Sequence, residues 1–250
     1  MRYFIYLSYN GLRYSGWQIQ PNAETVQETI ERALETILRT PCPIVGAGRT
    51  DAGVHARVMV AHADVALELS EIGTLKHKLN RLLPQDISIQ KIVPVSEEAH
   101  ARFSAISRTY RYYATEQKDP YTGHLQCKLH QALDVEAMNS AAKTLLEYSD
   151  FTSFSKLHTD VKTNNCKVSF AKWTKTEEGD YVFTITADRF LRNMVRAIVG
   201  TLFLVGRGKL TVDGFKRIIE AKDRNGAGSS APGHALFLED VAYPDELFNV

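Results

Sequence analysis

Apolar positions along the chain switch between two periods, and the switches mark its elements. Residues 3–9 (YFIYLSY) are rich in aromatic and β-branched side chains and read as a strand. Asn10-Gly11 is a turn signal, and a polar loop runs on through Pro21 and Asn22. Thr25-Val-Gln-Glu28 has the form of a capping box at a helix start. Val26, Ile30, Leu34, Ile37 and Leu38 then recur at helical spacing. Strands are expected at 44–46 and 58–65, on either side of a glycine-rich loop. A second helix follows through Ile72, Leu75, Leu79, Leu82 and Leu83, and a strand at 87–95. The order is β-α-β-β-α-β, the split ferredoxin-like unit.

The second half repeats that order. Residues 103–115 alternate as a long strand, and Val135, Met138, Ala142 and Leu145 mark a helix. Strands at 168–175 and 181–187 flank Glu178-Gly179-Asp180, a hairpin signal. A strongly apolar helix is expected over 190–205, another over 211–221, and a last strand over 236–243, stopped by Pro244. The stretch RNGAGSSAPG (224–233) reads as a flexible loop from its composition. The pattern predicts an α+β protein of two ferredoxin-like halves, residues 1–98 and 99–250, joined near 96–102. The repetition is one of pattern, not of residues.

Composition narrows the class. With 250 residues, 44% hydrophobic and 24% charged, the chain is long enough for a sizeable core and is ordinary for a globular protein. The net charge of +1 excludes a globally basic coat but permits a segregated basic face. Three widely spaced cysteines without a C-x-x-C pair argue against a disulfide framework and a cysteine zinc site. The longest apolar run, Ala197 to Gly206, is too short for a bilayer, which needs about twenty residues. No signal peptide is read at the N-terminus. A soluble, cytoplasmic protein is expected.

Three segments could carry chemistry. The first is GAGRTDAGVH at 46–55, where glycines let the backbone turn sharply and Asp51 is presented from a loop. A plain turn built on Asp and Gly fits the same residues. It has no phosphate-loop spacing, and Asp51 with His55 makes too few ligands for a metal. The second is ARFSAISRTYRYY at 101–113. It carries Arg102, Arg108 and Arg111 with no acid between them. Alternation places Arg108, Tyr110 and Tyr112 on one face and Arg111 and Tyr113 on the other. Guanidinium groups and rings together suit phosphates and stacked bases, although strands also welcome tyrosine for its own sake. The third is DRFLRNMVRAIVG at 188–200, with Arg189, Arg192 and Arg196 at helical spacing opposite an apolar stripe. A solvated helix face is the ordinary reading. Arg196 is set among small and apolar residues, and a buried guanidinium there would need a carboxylate partner.

These residues resemble one family. GRTDAGVHA at 48–56 is similar to the catalytic signature of the TruA family of tRNA pseudouridine synthases. YSGWQIQP at 14–21, HARFSAISRTYRYY at 100–113, DFTSFS at 150–155, FLRNMVRAIVG at 190–200 and LFLEDVAYP at 236–244 match it in order. The resemblance implies two ferredoxin-like halves forming a continuous, mainly antiparallel sheet, with helices on one face and a central cleft. It implies isomerisation of uridine to pseudouridine at tRNA positions 38, 39 and 40, in the anticodon stem-loop, by a homodimer without cofactor or metal. Residue by residue it makes Asp51 the nucleophile and Tyr110 the ring stacked on the target uracil. Arg196 becomes the partner of the catalytic carboxylate, Arg49 the residue that helps displace the base, and Leu236 part of the uracil pocket. Asn10, Met59-Val60 and Ala235 depart from the family's frequent Asp, Gly-Gln and Gly.

The chemistry asks for those groups. The N1–C1′ bond breaks, the uracil turns, and C5 rejoins the ribose, so a detached base must be held. Asp51 could add to C6 of the ring or engage C1′; Tyr110 is a route for the C5 proton. Arg102, Arg108, Arg111, Arg189 and Arg192 are expected to meet phosphates. Two rival readings remain at this level. One is an RNA-binding or RNA-chaperone protein on the same platform without chemistry; the other is a small-molecule hydrolase using Asp51 and His55.

Overall fold

The structure is a computed structural model that describes residues 1–66, 68–156 and 163–249. Its contacts divide the chain into two compact units, one of residues 1–106 and 238–250, the other of residues 107–237.

The first unit opens with β1 (Arg2–Tyr9), α1 (Val26–Leu38) and β2 (Val45–Gly46). It continues with β3 (His55–Asp64), α2 (Leu69–Leu82) and β4 (Ile87–Val95). β1 lies between β3 and β4 and pairs antiparallel with both; the short β2 joins β3. Val26, Ile30 and Leu34 of the expected stripe are buried on α1 together with Ala33, while Ile37 and Leu38, nearer its C-terminus, are half-buried. Thr25 Oγ1 accepts from Glu28 N at 3.4 Å, while the Glu28 carboxylate binds Arg32 at 2.5 Å. A reciprocal capping box forms on α2 between Glu68 and Glu71, a pair not picked out from the sequence. Phe4 is fully buried under Tyr243 and Phe248, with ring centroids at 4.8 and 6.2 Å, so the C-terminal segment belongs to this unit.

The second unit contains β5 (Ser107–Thr115), the short β6 (Cys127–Lys128) and α3 (Val135–Thr144). β7 (Val168–Lys175), β8 (Tyr181–Ala187), α4 (Met194–Gly206) and α5 (Val212–Ala221) follow. β9 (Leu236–Ala242) begins here and returns to the first unit at Leu238. β8 lies between β5 and β7, antiparallel to both. Trp173 stacks on Phe183 at 5.0 Å and meets Phe203 of α4 at 5.7 Å, which places the core between this sheet and its helices. The α+β class is as read from the sequence; the pairing is antiparallel, as the resemblance implies, except that β6 runs parallel to β5.

Three expectations are corrected. The strand expected from 103 begins at Ser107, because residues 101–104 form a turn held by side chains. The helix expected from 190 begins at Met194. Asn193 takes a left-handed conformation (φ 67°) and Met194 N–H bonds to Leu191 O at 3.1 Å, so a turn precedes the helix. Arg189 and Arg192 therefore lie before α4, and only Arg196 of the three is on it. Apolar content alone carried the expected helix too far toward the N-terminus. Finally, the loop around 224–231 is pinned despite its composition. Arg224 binds the carbonyls of Ala227 and Gly228 and the Ser230 hydroxyl, and Thr201 Oγ1 accepts from Gly228 N at 2.9 Å.

Candidate active site

Asp51 sits at half-buried depth in the loop between β2 and β3, with Thr50 buried before it and Arg49 exposed. The loop is braced from below. Tyr9 Oη and Thr50 Oγ1 are 2.9 Å apart in a buried contact. Trp17 N–H donates to Thr50 O at 3.3 Å, and Gly53 N–H donates to Tyr14 O at 3.2 Å. Val54 N–H closes back on Asp51 O at 3.1 Å. Gly16, at φ +94°, packs so closely that an added Cβ would stand 2.3 Å from Thr50 O. Gly53 also needs a left-handed backbone, at φ 76°. Residues 14–17 (YSGW) thus form the support on which the Asp51 loop rests.

His55 does not join Asp51 as a presented group. It is 1% exposed at the start of β3, and its Nδ1 accepts from Gly11 N–H at 3.0 Å. The ring satisfies a buried backbone donor, which is a structural duty. Sequence reasoning also missed a polar cluster beneath the same loop. Asp86 accepts from Tyr14 Oη at 2.8 Å and from Arg13 Nε at 2.7 Å, and burial pushes the Tyr14 phenol up to about 12. Residues 14 and 86 are too far apart in the chain for any local pattern to join them.

In the second unit Tyr110 is buried on β5, its ring edge-to-face with Phe190 at 5.1 Å and 89°. Tyr112, on the same face, is wholly buried beside Phe203 at 6.0 Å and belongs to the core instead of to a stacking platform. Arg111 is exposed and Tyr113 half-buried on the opposite face, as alternation predicts. Arg196, half-buried on the first turns of α4, donates from Nε to Ala231 O at 2.7 Å, and Ala231 N–H returns to Arg196 O at 2.9 Å. A backbone carbonyl thus holds the Arg196 guanidinium through Nε. Leu236 is buried, one residue after Ala235.

The remaining arginines differ in exposure. Arg108 donates from Nη1 to Asp188 O at 2.7 Å, which ties β5 to the end of β8. Arg189 lies 3.5 Å from the Asp188 carboxylate. Arg192 and Arg111 are exposed, as is Arg102 in the first unit. Among the described residues no group of His, Cys, Asp and Glu is placed to hold a metal ion. None of the described helices is long and apolar enough to cross a membrane.

A tRNA pseudouridine synthase family model matches residues 5–104 and 141–244. The chain belongs to the tRNA pseudouridine synthase family. Relatives named tRNA pseudouridine synthase A match it from end to end. The one from Parabacteroides distasonis is 66% identical over 250 residues, covering 100% of this chain and 98% of its own. The one from Porphyromonas gingivalis is 63% identical over 249 residues, covering 99% of each. The one from Bacillus subtilis is 40% identical over 247 residues, covering 97% of this chain and 99% of its own.

The departures from the family's frequent residues have physical accounts. Asn10 Oδ1 accepts from Leu12 N–H at 3.1 Å, the cap an aspartate would also make. Met59 and Val60 are wholly buried on β3 opposite Leu7 and Tyr6, so this synthase uses them as core. Ala235 is wholly buried at the entry to β9.

Proposed function

We propose that this chain isomerises uridine to pseudouridine at positions 38, 39 and 40 of tRNA anticodon stem-loops, with Asp51 as the nucleophile on a flipped-out uridine. What carries the reading is its end-to-end kinship with enzymes of that name. The braced presentation of Asp51 supports the role given to it.

Asp51 either adds to C6, after which the N1–C1′ bond breaks, or displaces N1 from C1′ directly; once C5 has bonded to C1′ the carboxylate is expelled from the carbon it had joined. RNA covering the carboxylate removes its water, and a guanidinium alongside compensates the charge; Arg196 takes that part. The bond from its Nε to Ala231 O restrains the side chain, which supports that part. Tyr110 stacks on the uracil and carries the C5 proton away, directly or through water. Leu236 lines the apolar side of the uracil slot, and Arg49 helps push the base out of the stem.

Flipping a base costs on the order of a few kcal/mol, and stacking on one aromatic ring returns about 1–3 kcal/mol. Net affinity then falls to phosphate contacts from Arg102, Arg108, Arg111, Arg189 and Arg192. The active form is read as a cytoplasmic homodimer that needs neither cofactor nor metal.

The test is release of tritium from tRNA labelled at uridine C5, coupled to mapping of the modified positions. The proposal expects stoichiometric release with pseudouridine at 38–40. Tight tRNA binding without release would favour the RNA-chaperone reading instead.

A further inference from the structure

An exposed phenylalanine is unremarkable on its own. Phe103, a residue 76% exposed, is set apart by how much of the first unit is committed to holding it. The turn at residues 99–104 is held by side chains at half of its backbone N–H and C=O groups. His100 Nδ1 accepts from the N–H groups of Arg102 and Phe103 at 3.1 and 3.3 Å. His100 N–H donates to Ser104 Oγ at 2.9 Å, and Ser104 N–H returns to His100 O at 2.9 Å. His62 Nδ1 accepts from Ala101 N–H at 3.1 Å. Arg2 Nη1 donates to Ala99 O at 3.1 Å, and Tyr243 Oη donates to Ala101 O at 2.5 Å.

The rings continue the same construction. His62 meets His100 at 4.6 Å, and His100 meets Phe103 at 4.4 Å with 36° between planes. The Arg102 guanidinium lies 5.6 Å from the Phe103 centroid. A rigid turn therefore carries an aromatic face into solvent with a cation at its side. An apolar ring held in place loses little entropy when a flat partner lands on it. The flanking guanidinium selects a partner that carries both a π-face and a negative charge. An unpaired RNA base with its phosphate has both.

We propose that Phe103 is a base-stacking contact for the RNA substrate, with Arg102 on the adjoining phosphate and His62 and His100 as the positioning residues behind them. It rests on the tRNA reading above and adds a second aromatic contact to the one assigned to Tyr110. Ile106 is also exposed, at 58%, and a second copy of the chain is the alternative occupant of this apolar surface, so the test also reads the oligomeric state.

The full-length chain is compared with Phe103→Ala, Phe103→Leu and Phe103→Trp in steady-state turnover of tRNA and in direct binding of an anticodon stem-loop RNA by fluorescence anisotropy. Light scattering gives the oligomeric state of each. Phe103→Ala and Phe103→Leu are expected to lower kcat/KM about tenfold, carried by KM, and to weaken stem-loop binding by a similar factor. Phe103→Trp is expected to restore both. The proposal is overturned if leucine serves as well as tryptophan, if alanine binds RNA like the parent, or if the loss follows a change in oligomeric state. A parent chain that binds the stem-loop without turning it over would remove the synthase reading, while the binding comparison would still decide the role of Phe103.

Discussion

Tyr9 and Thr50 hold their hydroxyls 2.9 Å apart in the buried underside of the loop that presents Asp51. The bond joins β1 to the residue directly before the proposed nucleophile. Tyr9→Phe removes one partner and leaves the Thr50 hydroxyl buried. A loss of about 1–2 kcal/mol in unfolding free energy is expected from urea titration. A fall in kcat with KM little changed is expected alongside, because the loop that aims Asp51 is loosened. An undiminished kcat would mean that the brace does not aim the carboxylate.

His55 stands four residues from Asp51, yet its Nδ1 satisfies the buried N–H of Gly11 at 3.0 Å. His55→Ala should cost about 1–3 kcal/mol of stability by orphaning that donor. His55→Asn offers an oxygen in its place and should recover part of the loss. Turnover per folded molecule should survive in the asparagine variant. Complete loss of turnover in a stable His55→Asn protein would show that His55 takes part in the chemistry.

Much of this was legible because it is local. The alternation of 168–175 and 181–187 matched β7 and β8, and Val26, Ile30 and Leu34 gave the buried stripe of α1. What sequence could not show depends on chain-distant partners. The Asp86–Tyr14 bond spans 72 residues, and the anchoring of 224–231 needs Thr201. Composition made that loop look flexible because glycine and serine serve close packing as well as mobility. An apolar run likewise could not reveal that Asn193 breaks the backbone before Met194. The candidate site divided in the same way: the motif residues stood out in the sequence, and the side chains that brace them did not.

His62 gives a pH dependence with a definite sign. Burial, then the charges of His100 and Arg2, push it down to about 4 from 6.5. Between those values the unfolded chain binds a proton that the folded chain refuses. Stability from this residue is therefore complete above about pH 6.5 and is lost as pH falls toward 4, by on the order of 2 kcal/mol. Unfolding free energies between pH 7 and 4.5 should fall more steeply for the parent than for His62→Asn, which keeps an acceptor for Ala101 N–H. Parallel curves would show that His62 is not the group responsible.

The arginine assignments predict steep salt dependence. Five phosphate contacts, if all are made, give a slope of roughly −4 in log affinity against log salt, and each arginine removed should flatten it by about 1. Arg111→Ala and Arg192→Ala are the informative variants, since both side chains are exposed and their loss should spare the fold. An affinity insensitive to salt would dismiss the arginines as the source of binding.

The central claim is that the Asp51 carboxylate performs the chemistry, and a single-turnover comparison of the parent with Asp51→Asn on tRNA labelled with tritium at uridine C5 tests it most directly. The account predicts that the asparagine variant binds the tRNA as the parent does and releases no tritium above background. Release at a substantial fraction of the parent's rate would contradict it.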